Sequence, residues 1–174
     1  MPDRAEPADG RRRKGERRRR ALLDATLRLV GRSGTAAVSQ RAVAAEAEVP
    51  PSAVLYYFAS VDDLLVAALG AVNDRCLADL GAVRTIEDLV VLMRRWARQD
   101  RNSMIAEYEL LLLAARRDDL NSELRRWDDA LDGVASRLLP DAPERRPLLV
   151  AVVNGLCIAA ATGSPHTPEA LARL

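Results

Sequence analysis

One stretch decides the fold: Ala21 to Leu65, which reads ALLDATLRLVGRSGTAAVSQRAVAAEAEVPPSAVLYYFASVDDLL. Its apolar residues recur near the helical period and two glycines follow them, which predicts a first helix from about Glu16 to Val30. The hydroxyl of Ser39 can cap a second, short helix. That helix must end near Val49, because a residue before proline is pushed out of the α region.

Two further helices follow the double proline. The third is predicted to begin near Pro51, since proline suits the first position of a helix. Ser60 can cap the fourth, and its first turn places Asp62 and Asp63 where carboxylates complement the helix dipole. Two short helices joined by a tight turn and preceded by a longer helix form a helix-turn-helix arrangement.

The helix-turn-helix pattern fits residues 40–59. Ala44 is the small residue needed where the two helices touch, and Val49 and Val54 are the apolar plug beneath the turn. The turn usually needs glycine because its φ is positive, and here that position is Glu48, which should cost about 1 kcal/mol. An ordinary helical hairpin remains the alternative, since the short pattern alone does not exclude it.

The composition predicts an all-α fold. The chain has 174 residues, of which 49% are hydrophobic and 3% aromatic. That is enough apolar material for a core in one or two small domains, and too much for a disordered chain. The residue types that dominate are those of helical proteins. Cys76 and Cys157 lie far apart in sequence, so we expect buried small side chains rather than a disulfide framework or a zinc site.

The charge is distributed unevenly, although its net value is only +1. Residues 1–58 carry 12 basic and 7 acidic side chains, whereas residues 59–174 carry 14 and 18. Most of the basic excess precedes residue 21. Such a block repels itself, so we expect a disordered arginine-rich tail whose natural target is phosphate.

The sequence gives little indication of a membrane protein or of an enzyme. No apolar stretch follows the basic N-terminus, as a signal peptide requires. The longest apolar run, 148–161, is interrupted by Asn154 and Gly155 and is too short for a membrane span. The sole histidine, His166, lies in a proline-flanked tail, and no metal-ligand spacing exists. We therefore expect a cytoplasmic protein that is not an enzyme and has no cofactor, no metal and no membrane contact.

The stretch from Ala21 to Leu65 resembles the DNA-binding domain of the tetracycline-repressor (TetR) family of bacterial transcription regulators. Many family members carry a tyrosine at the position of Leu55 and a phosphate-binding lysine at that of Val61, and we expect the arginine-rich tail to compensate for both departures. The motifs that carry the resemblance are L-D-A-x-x-x-L at 23–29, Gly34, Ser39 and Arg41 at the second helix, and Phe58-Ala59-Ser60 after the third.

The resemblance implies that the third helix reads DNA in the major groove. Its residue types suit hydrogen bonds to bases or phosphates and apolar contact with a thymine methyl, but it lacks an arginine for guanine, so we expect modest or shape-dependent specificity. The tail would add sequence-independent affinity or reach the minor groove. Core packing is the alternative for the three consecutive aromatic residues, and it is the expectation for Phe58. The predicted DNA contacts are Ser39, Arg41, Pro51, Ser52, Ala53, Tyr56 and Tyr57.

Four helices are predicted beyond Gly81, and the resemblance implies that they bind an effector and dimerise. The last two helices are expected to pair with their copies in a four-helix interface, with an intrachain core as the alternative. A dimer can read two half-sites of a palindrome about 34–36 Å apart. The predicted apolar faces are Ile86, Leu89, Val90, Met93, Trp96 and Ala97; Ile105, Tyr108, Leu111, Leu112 and Ala115; and Leu120, Leu124, Trp127, Leu131, Val134 and Leu138.

A ligand cavity among the middle helices is also implied by the resemblance. Polar or aromatic residues within otherwise apolar faces are its natural lining, although core packing of the tryptophan and solvation of the glutamate are the alternatives. Few buried polar groups are available, which favours an apolar or aromatic effector. The predicted ligand-binding residues are Trp96, Glu107, Tyr108 and Asn154.

Together these observations predict a homodimeric repressor that a small-molecule effector releases from a palindromic DNA operator. The alternative is a helical adaptor that binds a protein partner through its apolar seam. The predicted segments are a disordered tail at 1–19, a helix-turn-helix domain at 20–60, a helical effector-binding and dimerisation domain at 61–164, and a C-terminal tail at 165–174.

Overall fold

The structure, a computed structural model, describes residues 8–98, 101–117 and 121–164. These ranges contain eight α-helices and two short 3-10 helices, at Thr35–Ala37 and Pro143–Arg145, and no strand. The predicted all-α fold is confirmed. The helices are α1 (Ala8–Ser33), α2 (Gln40–Glu46), α3 (Pro51–Tyr57), α4 (Val61–Ala82), α5 (Ile86–Ala97), α6 (Arg101–Ala114), α7 (Asn121–Leu138) and α8 (Arg146–Thr162).

The helix-turn-helix forms as its capping residues predict. The Ser39 hydroxyl accepts a hydrogen bond from the Ala42 N–H at 3.1 Å, and the Ser60 hydroxyl accepts one from the Asp63 N–H at 3.0 Å. Val54 is fully buried beneath the turn. Local sequence chemistry therefore sets where α2 and α4 begin.

The turn between α2 and α3 has the geometry expected at Glu48. This residue has φ 54°, the one positive φ among non-glycine residues of the described ranges. The Val49 N–H donates to the Ala44 carbonyl at 2.9 Å and closes the turn. A side chain with a Cβ is therefore held in a conformation that favours glycine.

Helix α1 is longer than predicted. It begins at Ala8, so the disorder predicted for the tail is wrong over residues 8–19. Arginine is a strong helix former, and the extension is also anchored on the folded domain. The Arg19 guanidinium lies 5.5 Å from the centre of the Phe58 ring, which is itself buried as expected. Residues 1–7 of the predicted N-terminal tail and the whole predicted C-terminal tail, 165–174, which contains His166, lie outside the described residues.

The buried face of α6 also differs from the prediction. Leu112 lies on the predicted face but is 64% exposed. Tertiary packing explains the difference, because α6 packs against α1 on one side and against α4, α7 and α8 on its other sides. A side chain at Gly31 of α1 would collide with the backbone of Asn102 on α6, so the two helices approach closely. The residues of α6 that are buried are Met104, Ala106, Leu110 and Ala114.

Helix α8 is apolar around most of its surface, and part of that surface is uncovered. Leu148 is 50% exposed and Ile158 is 49% exposed, with exposed Ala151 and Gly155 between them. By length and composition the segment Pro143–Thr162 could cross a membrane, and 28% of it is buried in the chain. The core helix of a soluble protein passes the same test. The exposed apolar residues of α8 form a stripe that the other described helices leave uncovered. Leu120 of the neighbouring seam lies outside the described residues.

Replacing Glu48 with glycine is expected to raise the free energy of unfolding by about 1 kcal/mol, because glycine adopts positive φ without a Cβ clash. Ala45→Gly is the matched control, since Ala45 is an exposed residue inside α2 and glycine there should destabilise by about 0.5–1 kcal/mol. Urea denaturation of the three proteins measures both effects. Destabilisation by Glu48→Gly would contradict the strain assigned to this turn.

Candidate DNA interface and ligand cavity

The outer side of α3 presents the residues predicted to contact DNA. Pro51 and Ser52 are exposed, and Tyr56 is 81% exposed. Ala53 and Tyr57 are half-buried. The outer side of α3 is therefore accessible to DNA, and the DNA contacts themselves stay a prediction.

The two tyrosines have different surroundings. Tyr57 packs its ring against Tyr56, with centroids 4.9 Å apart and planes at 86°. Its hydroxyl lies 3.7 Å from where a Cβ at Gly15 would stand. Tyr57 is thus partly a packing residue that fixes α3 against α1, and Tyr56 projects freely. Leu55, which the sequence reasoning did not assign to the interface, is 53% exposed on this side, and its helical spacing from Ser52 could have shown it.

The remaining predicted DNA contacts lie at the start of α2. Arg41 is exposed on its first turn and makes no ion pair with any residue of the described ranges. Ser39 is exposed as well, and its oxygen already accepts the capping hydrogen bond. Both positions are available to phosphate, which is the role predicted for them.

The four predicted ligand-binding residues lie together. Trp96, Glu107 and Tyr108 line one internal cavity between α4, α5, α6, α7 and α8. Asn154 joins them through hydrogen bonds: its side-chain oxygen accepts from the Trp127 Nε1–H at 3.3 Å, and its carbonyl accepts from the Tyr108 hydroxyl at 3.2 Å. Whether these residues bind an effector stays a prediction.

The cavity is almost closed, and Trp96 divides it from larger spaces. Its volume is about 20 Å³, close to that of one water position. Trp96 also borders a space of about 230 Å³ beside α8 and a cleft of about 530 Å³ beside Arg75 and Ser103. Its indole N–H donates to Asp79 at 3.0 Å, and its ring stacks on Trp127 at 6.2 Å. Trp96 is the one residue that lines all three of these spaces.

Glu107 gives the cavity its electrostatic character. Burial disfavours its carboxylate and raises the pKa of Glu107 to about 7, and the positive charge of Arg75 offsets part of that rise. Within the described ranges the Glu107 carboxylate has no ion-pair partner. Burial also raises the pKa of the Cys76 and Cys157 thiols to about 12, so both are protonated at neutral pH. No cluster of three metal-ligating side chains occurs among the described residues.

Asn73 is a cavity residue that the sequence reasoning missed. It is 2% exposed, and its amide donates to the Glu123 backbone oxygen at 3.0 Å and to the Glu123 carboxylate at 2.8 Å. These bonds join α4 to α7 at the cavity wall. The signal was present, because Asn73 is an amide within the apolar face of α4.

Helix α6 connects the cavity to the helix-turn-helix. The Glu109 carboxylate accepts hydrogen bonds from the Thr35 N–H at 2.7 Å and from the Thr35 hydroxyl at 3.2 Å. Gly34, with φ 82°, precedes this contact and leaves room for it. Glu107 and Tyr108 lie on the same helix and face the cavity. No local sequence pattern foretold this pairing between residues that are far apart in the chain.

An N-terminal helix-turn-helix followed by a larger helical domain is the architecture of a DNA-binding transcription regulator. The chain matches the family model "Bacterial regulatory proteins, tetR family" over residues 22–68 and "Tetracyclin repressor-like, C-terminal domain" over residues 80–174. It belongs to the TetR family and is a DNA-binding transcriptional regulator. The helical-adaptor alternative is therefore set aside.

Similar proteins include two bacterial transcription regulators, one of which is nicotine-responsive. The chain is 38% identical over 82 residues to the transcriptional regulator BetI of Rhizobium meliloti, a match that spans 45% of this chain and 40% of BetI. It is 27% identical over 145 residues to HdnoR, a nicotine-responsive repressor of Paenarthrobacter nicotinovorans, with 79% of this chain and 75% of HdnoR covered.

Solved structures agree over most of the chain. A TetR family member from Streptomyces coelicolor A3 has a TM-score of 0.76 and 33% identity, with 90% of this chain and 94% of that chain covered. The multidrug binding protein EbrR in complex with malachite green has a TM-score of 0.70 and 33% identity, covering 89% and 96%. EbrR has also been solved with ethidium and with proflavin.

The stability of the protein is expected to fall as pH rises from about 5 to 7, because the raised pKa means that the folded state holds the Glu107 proton more tightly than the unfolded chain. Glu107→Gln should remove this dependence and be the more stable protein at pH 8, by on the order of 1–3 kcal/mol. Thermal or urea unfolding across this range measures it. Glu144→Gln, at an exposed site, is the control; a parallel pH dependence in Glu107→Gln would refute the assignment.

Proposed function

We propose that the protein is a homodimeric repressor of a palindromic operator, and that it leaves the operator when an aromatic organic cation enters the cavity. The observation that carries the effector class is the Glu107 carboxylate, which lies half-buried among aromatic side chains without an ion-pair partner in the described ranges. A protein that binds an operator acts in the cytoplasm, which is the compartment we propose.

The cavity chemistry favours a cation that carries aromatic rings. Trp96, Tyr108 and Trp127 offer ring faces that attract cations, and a desolvated carboxylate supplies the opposite charge. Malachite green, ethidium and proflavin, which EbrR binds, are aromatic cations. By analogy, such a ligand would stack between the rings and draw the Glu107 proton off as it binds.

Effector entry would reach the DNA through α6. A ligand larger than the cavity must displace Trp96 or shift α6, and two contacts tie the α6 segment to the helix-turn-helix domain and to the start of α4 that directly follows it. One is the Glu109 to Thr35 contact, and the other is the ion pair between Arg117, just after α6, and Asp62 on α4 at 3.0 Å. A ligand shifts the equilibrium only by its preference for one state, so we propose that the displaced α6 favours a recognition-helix spacing that no longer fits the operator.

The exposed stripe of α8 supports the dimer. Leu148, Ala151, Gly155 and Ile158 follow one another at helical spacings of three and four residues, and no charged side chain interrupts them. The small residues in the middle would let a second helix approach closely. We propose that α7 and α8 pack on their copies in a four-helix interface.

Ethidium binding tests the cavity without DNA present. Its affinity for the wild-type protein is expected to rise about tenfold between pH 6 and pH 8, because Glu107 must ionise, whereas Glu107→Gln should bind at least tenfold more weakly at pH 8 and show no such rise. Fluorescence titration measures both, with Glu144→Gln as the control.

Release from DNA needs a second probe, since ethidium intercalates. Tetraphenylphosphonium, an aromatic cation that does not intercalate, is expected to dissociate the wild-type protein from an operator selected from random duplexes, and to act far less on Glu107→Gln. Ethidium affinity that is equal in wild type and Glu107→Gln would contradict the cation assignment. Failure to select any operator would contradict the repressor itself.

The dimer has its own test. Ile158→Glu is expected to convert the protein to a monomer and to weaken operator binding at least a hundredfold, because a charge would be buried in the interface and one half-site alone binds weakly. Val91→Glu is the matched control, since Val91 is 62% exposed on α5. Sedimentation velocity measures the oligomeric state; a dimer in Ile158→Glu would exclude the α8 stripe as the interface.

A further inference from the structure

The N-terminal extension of α1, residues 8–20, is a basic helix, and it is the inner part of the tail that the sequence predicts to contact phosphate. We call this segment the arm. Its exposed side chains include one lysine and several arginines, and the core of the domain begins only at Leu22, which is fully buried. The exposed basic residues of the arm are Arg12, Arg13, Lys14, Arg17, Arg18 and Arg20.

The arm is held beside the end of the recognition helix. Gly15 stands against the Tyr57 hydroxyl, since a Cβ there would lie 3.7 Å from it. One turn further along, the Arg19 guanidinium covers the Phe58 ring at 5.5 Å. Two successive turns of the arm therefore contact the end of α3 and the residue after it. These two contacts set the position of the arm relative to α3.

The orientation of the arm leaves one basic face free of the protein. Glu16 and Arg20 line a cleft against α4, so that side of the arm is turned inward. At about 100° per residue, Lys14 and Arg18 lie on the opposite side of the helix, and Arg17, which is also exposed, lies about 100° around the helix from Glu16. Among the described residues none of these three has a carboxylate partner. Their charges are therefore uncompensated on the exposed surface of a helix that is anchored at the end of α3.

We infer that the arm is a second DNA-binding element, which binds backbone phosphates flanking the base pairs that α3 reads. The inference rests on the proposed operator binding. Phosphate is the chemistry that an uncompensated face of arginine and lysine recognises, and a helix fixed to α3 contacts it at a fixed register. From Gly15 back to Ala8 the arm extends about 10 Å, which corresponds to about three base pairs beyond each half-site.

The test compares two charge-matched variants with the wild-type protein. In the arm variant, K14Q/R17Q/R18Q, glutamine keeps the helix propensity while three charges are removed. In the control variant, R98Q/R116Q/R145Q, the same charge is removed from exposed residues of the C-terminal half. Circular dichroism and sedimentation establish that both remain folded and dimeric. DNA affinity is then measured between 50 and 300 mM salt on the selected operator and on a mixed-sequence duplex of about 40 base pairs.

The arm variant is expected to bind both duplexes at least tenfold more weakly, with a salt dependence shallower by about 2.7 log units per arm that contacts DNA. The control should change the slope by less than one unit. Trimming the operator by about three base pairs at each end should weaken the wild-type protein but not the arm variant. Hydroxyl-radical footprints should lose the outermost protected backbone positions in the arm variant alone.

Equal effects in the arm and control variants would overturn the inference, because they would show only long-range electrostatics. A shallower slope with no dependence on the trimmed base pairs would also overturn it, since it would describe a tail without fixed placement. If no operator can be selected, the proposed repressor function fails, and the mixed-sequence duplex still decides whether the arm binds phosphate.

Discussion

The close packing of α6 on α1 is the contact on which the rest of the structure depends. At Gly31 the two helices approach so closely that a side chain has no room beside Asn102. This approach brings the Glu109 carboxylate within hydrogen-bonding distance of Thr35, and it turns the opposite side of α6 toward the cavity. Together with α4, which follows the helix-turn-helix and also lines the cavity, α6 therefore joins the two parts of the molecule.

Features governed by local chemistry could be predicted from the sequence. Ser39 and Ser60 cap helices because each has a hydroxyl followed by a free N–H, and Glu48 has a positive φ because the turn leaves it no other conformation. The sequence also predicted that Trp96 and Glu107 lie at one cavity, because polar or aromatic residues on otherwise apolar helix faces are natural cavity lining.

Features governed by tertiary packing could not be predicted in this way. The length of α1 was underestimated because a block of like charge suggested disorder, whereas contacts with Tyr57 and Phe58 support a helix there. The face of α6 was assigned wrongly because a helix packed on several sides has no single apolar stripe, so Leu112 stands in solvent. The partner of Glu109 lies too far away in sequence for any periodicity to reveal it.

The two cysteines have a consequence for the signals to which this regulator can respond. Both thiols border the cavity, yet their pKa of about 12 leaves almost no thiolate at neutral pH. The thiolate is the form that reacts with peroxides and alkylating agents. Neither buried thiol is therefore prepared to react with such reagents.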